Sequence, residues 1–266
     1  MDAKDNRRLD KTGDGPRAWC LKGPSGLWSM ALVAEDEAWS WSQDRLNTIA
    51  QWPGCPKGPK GETHPGYRQW LSSRTALYRL VEEGIQGLVR PAEGPPQLLL
   101  GQERFPVSLT HTVGMGGAAV ASPRAGDSLG GIGVDLERCS DRHARVLGRV
   151  SSEEEIRRVQ GLVGEEWGST LLWVIKEAAY KCNLIDGSQF GKNQEIIKLS
   201  INSKSIQGLP QGEVSTGLEP AWSGEVVQGS NGKETVLVEA GCLFHQGHAW
   251  LWAVAYPPDL VGNDHA

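Results

Sequence analysis

Trp173-Val-Ile-Lys-Glu-Ala-Ala-Tyr-Lys181 reads as a helix that places two ammonium groups and one carboxylate within two turns. Glu177 and Lys181 are four apart and share a face, while Lys176 lies about 100° away around the same turn. Alone, the pattern reads first as a solvated face with one favourable Glu-to-Lys pair. The chain, however, holds a second version of it. Arg74-Thr-Ala-Leu-Tyr-Arg79 aligns without gaps on Lys176-Glu-Ala-Ala-Tyr-Lys181, and Ala119-Val-Ala-Ser-Pro123 aligns on Ala253-Val-Ala-Tyr-Pro257. In both, a basic helix precedes an AVA-x-P strand. The expectation is an α+β fold of two similar α+β halves related by a pseudo-twofold axis, with a cleft between them where ligands are favoured. The expected boundaries are a tail over 1–16, halves over 17–137 and 138–258, and a second tail over 259–266.

Upstream of the helix, Gly131-Ile-Gly-Val-Asp-Leu-Glu137 alternates like a short strand. Asp135 and Glu137 are two apart and project from one face, with Val134 and Leu136 on the other. Carboxylates held that close repel unless a positive charge lies between them, and a hard divalent cation such as Mg2+ is a common solution. A strand running out into solvent has the same spacing, so the pair acquires meaning only from its neighbours.

In the first half, Leu27-Trp-Ser-Met-Ala-Leu-Val33 fits an early strand followed by a helix, and its tryptophans are core anchors first. The Pro- and Gly-rich stretch 52–66 is a loop. Residues 67–83 carry Trp70, Leu77 and Val81 on one helical stripe, and 84–100, with Pro91, Pro95 and Pro96, read as irregular. Phe105–Thr112 reads as a strand, followed by a glycine turn at 113–117 and a strand at 118–121. Such a turn lets backbone amides approach an anion, and His111 at its edge is either a ligand contact or a structural histidine.

Arg142, Arg145 and Arg149 are spaced three and four apart, on one side of an expected helix. They form either a solvated basic face or a docking face for an acidic partner. Ser152-Glu-Glu-Glu155 opens the next helix as a capping box, which makes its glutamates structural.

Composition bounds the remaining possibilities. With 266 residues, 39% hydrophobic and 22% charged, the chain can bury a substantial core, and its net charge of −5 argues against a general nucleic-acid binder. Five scattered cysteines without a CxxC suggest free thiols in a reducing compartment, and no apolar run is long enough to span a bilayer. A cytoplasmic location is expected, and no membrane or nucleic-acid partner.

Gly133-Val-Asp-Leu-Glu137 and Trp173-x-x-Lys-Glu-x-x-x-Lys181, preceded by Ser108-Leu-Thr-His111 and Trp70-Leu-Ser-Ser-Arg74, resemble the 4'-phosphopantetheinyl transferase superfamily. The arrangement is similar to its two-half, surfactin-synthetase-activating branch and covers about residues 67–256. The resemblance implies transfer of the phosphopantetheine arm of coenzyme A to a serine of an apo acyl or peptidyl carrier protein, by a monomer that is internally a pseudo-dimer. It implies that Asp135, Glu137 and Glu177 hold Mg2+ and that Glu177 is the base. Lys181 would serve the departing phosphate, Lys176 the pyrophosphate, and Arg74, Thr110 and His111 the 3'-phosphate of coenzyme A. It also favours the docking reading of Arg142, Arg145 and Arg149. Gly101-Gln-Glu-Arg-Phe-Pro106 departs from the Gly-Lys/Arg-Pro element of many relatives, with Arg104 as the substitute, and Lys57 and Lys60 are the candidates toward the adenine. A coenzyme A- or carrier-binding accessory module without strong catalysis, and a Mg2+-dependent phosphodiesterase, are the alternatives.

Overall fold

In the computed structural model, the residues described are 18–39, 64–81, 85–89, 91, 95–122, 131–182, 194–201, 220–228 and 234–258. They fall into two units, Met1–Arg90 with Pro96–Arg124 and Pro91–Pro95 with Ala125–Ala266. Of the loop expected over 52–66, residues 52–63 lie outside the described residues, as do Lys57, Lys60 and the tails, while Pro65 and Gly66 open a helix instead of closing the loop.

The first unit contains β1 (Ala18–Lys22), β2 (Trp28–Ala34), α1 (Glu35–Trp39), α2 (Pro65–Val81), β3 (Ile85–Val89), β4 (Gln97–Leu100), β5 (Glu103–Thr112) and β6 (Met115–Ala121). Its sheet is antiparallel in the order β1-β2-β6-β5-β4-β3. Helix α2 buries Trp70, Leu71, Ala76 and Leu77 in a core with Ala31 and Val33 of β2, Val107 of β5 and Ala118 and Val120 of β6. Strands β3 and β4 correct the irregular reading of 84–100. The prolines that suggested irregularity flank β4 rather than interrupt it, and a register shift between Ile85 and Gly87 hides the alternation of β3.

The second unit contains β7 (Gly133–Arg138), α3 (Ala144–Leu147), α4 (Glu153–Val163), α5 (Glu165–Cys182), β8 (Gln194–Ile201), β9 (Trp222–Gln228), β10 (Glu234–His245) and β11 (His248–Tyr256). Its antiparallel order is β7-β11-β10-β9-β8. The tight β10–β11 hairpin turns through Gln246 (φ 49°) and Gly247 (φ 75°), the two positive angles that a two-residue turn with the right twist demands. Leu171, Leu172, Ile175 and Ala178 of α5 lie in one core with Val236 and Val238 of β10 and Leu251, Ala253 and Ala255 of β11.

The two sheets, of six and five strands, share part of their strand order. In the first unit β2, a long helix and four strands give the order β2-β6-β5-β4-β3; in the second, β7, its helices and four strands give β7-β11-β10-β9-β8. The aligned basic helices α2 and α5 each lie on the strand that carries their AVA sequence, β6 and β11. The correspondence also corrects the expected boundary at 137/138. Strand β7 takes the place of β2 and pairs with β11, so the acid strand opens the second unit instead of closing the first.

Two other expectations change. The glycines after β5 are not an exposed anion cradle, because β6 already begins at Met115 and a side chain at Gly116 would collide with Ser72 and Ser73 of α2. The absent side chain of Gly116 lets the helix lie directly on the strand. The arginine-bearing segment is not one helix: α3 spans only Ala144–Leu147, with turns on both sides, so Arg142 precedes it and Arg149 follows it. All three arginines are exposed but share no helical face. The four described cysteines, Cys20, Cys139, Cys182 and Cys242, carry free thiols. Among the described residues no helix is long and apolar enough to cross a membrane.

Candidate active site

The acid strand and the basic helix meet because of glycine. A Cβ at Gly133 would strike the carbonyl oxygen of Ala178 and the backbone nitrogen of Cys182, and one at Gly131 would strike the Cys182 carbonyl. The last turns of α5 therefore rest on the backbone of β7, fastened by a Cys182 thiol that donates to the Gly131 carbonyl at 3.2 Å. Strand alternation then turns Asp135 and Glu137 to the same side as Gly133, toward α5. Their partners on β11 are Ala253 and Leu251, both in the core beneath the helix.

At this junction Lys181 Nζ donates to Asp135 Oδ1 at 2.7 Å and to the Val134 carbonyl at 3.2 Å. Asp135 is buried and Lys181 half-buried. Glu177, one turn earlier on α5, is pushed up to about 7 from the ordinary carboxylate value. Burial is the largest cause; Asp135 and then Glu137 add repulsion, and Lys181 opposes them. Glu137 Oε2 accepts from Arg142 Nη2 at 2.7 Å.

Behind that pair, Arg142 Nε donates to Nε2 of the buried His143 at 3.2 Å, while His143 Nδ1 faces Thr170 Oγ1 of α5 at 3.1 Å. These bonds assign the proton to Nδ1 and leave the imidazole neutral, in keeping with a pKa lowered to about 4 by burial and by Arg142. His143 Nε2 and Glu137 Oε2, 3.8 Å apart, are thus not an ion pair.

Lys176, expected on the pyrophosphate, is turned the other way. It is fully buried, and its three donor positions are spent on the Val150 carbonyl (2.7 Å), Glu155 Oε2 (2.7 Å) and the Gln194 carbonyl (2.9 Å). Glu155 Oε1 accepts from the Ile196 amide at 2.9 Å. The 100° offset that separates Lys176 from Glu177 sends it to the structural side of α5, where it ties α4 and β8 together. The structural role expected for the capping-box glutamates holds for Glu155, and Ser152 accepts from the Glu155 amide as the cap requires.

Arg74, Thr110 and His111 lie in the first unit. Arg74 Nη1 donates to Ser73 Oγ at 2.9 Å and to the Trp70 carbonyl at 3.3 Å, and its guanidinium lies over the Trp70 ring. Thr110 is buried opposite Gly117, and His111 is exposed opposite Gly116. Gly116 is also where the Ser73 backbone meets β6, so the turn of α2 bearing Arg74 and the strand bearing His111 converge there.

Residues 131–236 match the family model of the 4'-phosphopantetheinyl transferase superfamily. Over this segment, 106 of the 266 residues, the chain is similar to that superfamily. No curated protein matches the chain. The matched phosphopantetheinyl transferase segment begins just before β7 and includes α5, so Asp135, Glu137, Glu177 and Lys181 all fall inside it.

Transferases of this superfamily act on coenzyme A, and a divalent cation is the implied cofactor. Carboxylates are the donors a hard cation takes, and Asp135 and Glu137 lie near enough to Glu177 to add to the rise that burial causes in its pKa. Among the described residues, no group of three or more His, Cys, Asp and Glu side chains is arranged to hold an ion. Lys181 and Arg142 instead supply positive charge to Asp135 and Glu137. The interplay of Arg142, His143 and Thr170 with Glu137 had no periodic signal in the sequence, because it joins a turn to a helix 27 residues later.

Proposed function

We propose that the chain transfers the 4'-phosphopantetheine arm of coenzyme A to the serine hydroxyl of an apo acyl or peptidyl carrier protein, releasing adenosine 3',5'-bisphosphate. The superfamily match supports the class of reaction. The observation that carries it to these residues is Glu177, a half-buried carboxylate held near neutrality beside Asp135 and Glu137, on the helix that delivers Lys181. A base with a pKa close to the working pH combines a useful ionised fraction with enough proton affinity to act.

In this reading Glu177 takes the serine proton, directly or through a water. Lys181 stabilises the charge that gathers on the departing phosphate, a role suited to a partly exposed ammonium already anchored by Asp135. Asp135, Glu137 and Glu177 would hold Mg2+, which when bound would neutralise the pyrophosphate. Attack on a pyrophosphate requires positioning and charge neutralisation and no covalent enzyme intermediate. Arg74, Thr110 and His111 are assigned to the 3'-phosphate, with Arg104 nearby in sequence on β5. Lys176 is withdrawn from the phosphate contacts, since its ammonium is saturated inside the fold. The shared strand order of the two units supports the two-half branch of the superfamily. Arg145 and Arg149 remain candidates for docking an acidic carrier.

The deciding experiment incubates the protein with coenzyme A, Mg2+ and a panel of apo carrier proteins, with and without chelator, and reads intact mass. A chelator-sensitive gain of one phosphopantetheine on a carrier establishes the reaction. Coenzyme A binding without an adduct on any carrier supports the accessory-module reading instead.

A further inference from the structure

Arg142 was expected to face a protein partner, yet its guanidinium points inward to the acid strand. Nη2 lies 2.7 Å from Glu137 Oε2, and Nε donates to His143 Nε2 at 3.2 Å. An isolated ion pair between side chains 60% and 13% exposed would be weak and loosely oriented. Here a second bond restrains it. His143 is 2% exposed, its Nδ1 faces Thr170, and its ring packs against Trp173 with centroids 5.7 Å apart. Both Thr170 and Trp173 belong to α5, the helix that bears Glu177 and Lys181. The planar fork of an arginine spans the imidazole and the carboxylate together, which an ammonium on a flexible stem does not do.

We propose that Arg142, braced by His143, is the internal counter-cation of Glu137 and competes with a divalent cation for that carboxylate. The proposal rests on the reading of Asp135, Glu137 and Glu177 as ligands of the ion. It makes Arg142 a positioning residue with two consequences. With no ion bound, it relieves repulsion among the three acids and holds the Glu137 carboxylate against the side of α5. When an ion binds, the Arg142–Glu137 pair has to loosen, so the strength of that pair sets part of the affinity.

The test is calorimetric titration of the full chain with Mn2+, in the absence of coenzyme A and carrier. Arg142 is exposed, so its replacement leaves the core intact, and a thermal melt of each variant checks this. Arg142→Gln is expected to bind Mn2+ roughly three- to fivefold more tightly than wild type, the range set by removing one partly screened ion pair. Arg142→Lys keeps the charge but loses the bridge to His143, and its affinity falls between the two. Unchanged or weakened binding in Arg142→Gln overturns the proposal, as does Arg142→Lys binding more tightly than Arg142→Gln. Glu137→Gln separates the two levels of inference: a large loss of Mn2+ binding supports the ligand reading, whereas binding equal to wild type defeats that reading itself.

Discussion

Lys176 and Glu177 are adjacent in sequence and point to opposite fates: the lysine is sealed against Glu155 at 2.7 Å, and the glutamate sits near neutrality beside the acid strand. A single step of about 100° around α5 separates scaffold from chemistry.

Replacing Lys176 therefore tests structure rather than phosphate binding. Lys176→Met strands the Glu155 carboxylate, 4% exposed, without its partner. The expected loss is about 3–5 kcal/mol of unfolding free energy, measured by urea denaturation, and Lys176→Met/Glu155→Leu recovers part of it. Coenzyme A affinity of the folded fraction stays at the wild-type value; a selective loss of that affinity returns Lys176 to the phosphate site.

Glu177→Gln is expected to lower transfer about 100-fold or more while the fold is kept. Its stability effect has a defined sign. Because the folded carboxyl titrates near 7 and the unfolded one near 4.5, the folded state holds the extra proton between those values, and wild-type stability falls as pH rises through that window. Thermal melts at pH 8 should therefore show Glu177→Gln more stable than wild type. The difference should shrink toward pH 4.5, and an equal gain at both pH values contradicts a raised Glu177 pKa.

Gly133→Ala addresses how the site is assembled. Its new methyl would meet backbone atoms of Ala178 and Cys182, which have no rotamer through which to retreat. We expect a loss of about 1–3 kcal/mol or more in chemical denaturation, together with loss of transfer, because α5 must lift off β7. Gly148→Ala is the control, since a Cβ there meets nothing within 4 Å.

For the exposed Arg145, charge reversal to Glu is expected to raise KM for the carrier protein several-fold and leave coenzyme A affinity unchanged. Equal losses toward both substrates would place Arg145 outside a docking role.

Much of the site was legible in the sequence because its signals are local. Two-residue alternation put Asp135 and Glu137 on one face, helical spacing put Glu177 with Lys181, and Ser152 with Glu155 announced a cap. The gapless likeness of the two basic helices and the AVA strands is in keeping with the strand order that β2-β6-β5-β4-β3 and β7-β11-β10-β9-β8 share. Strands β3 and β4 were obscured by prolines and a register shift. The arginines looked like one helical side because three- and four-residue spacing implies a face only where the helix continues, and α3 ends after one turn.

Tertiary structure decided which charge meets which. Sequence alone determined the residue types, their faces on each element and the order of those elements, all consequences of backbone periodicity. It did not determine that Lys176 would be spent on Glu155, that Lys181 would take Asp135, or that Arg142 would reach Glu137 from a histidine wedged on α5. The Lys181–Asp135 pairing depends on how closely α5 settles on β7, a distance set by the missing side chains of Gly131 and Gly133, whereas Lys176 depends on how α4 and β8 pack on the other side of the helix. An ionic contact is made or lost over a few ångströms, a scale on which the packing of two elements governs and the spacing within either one does not.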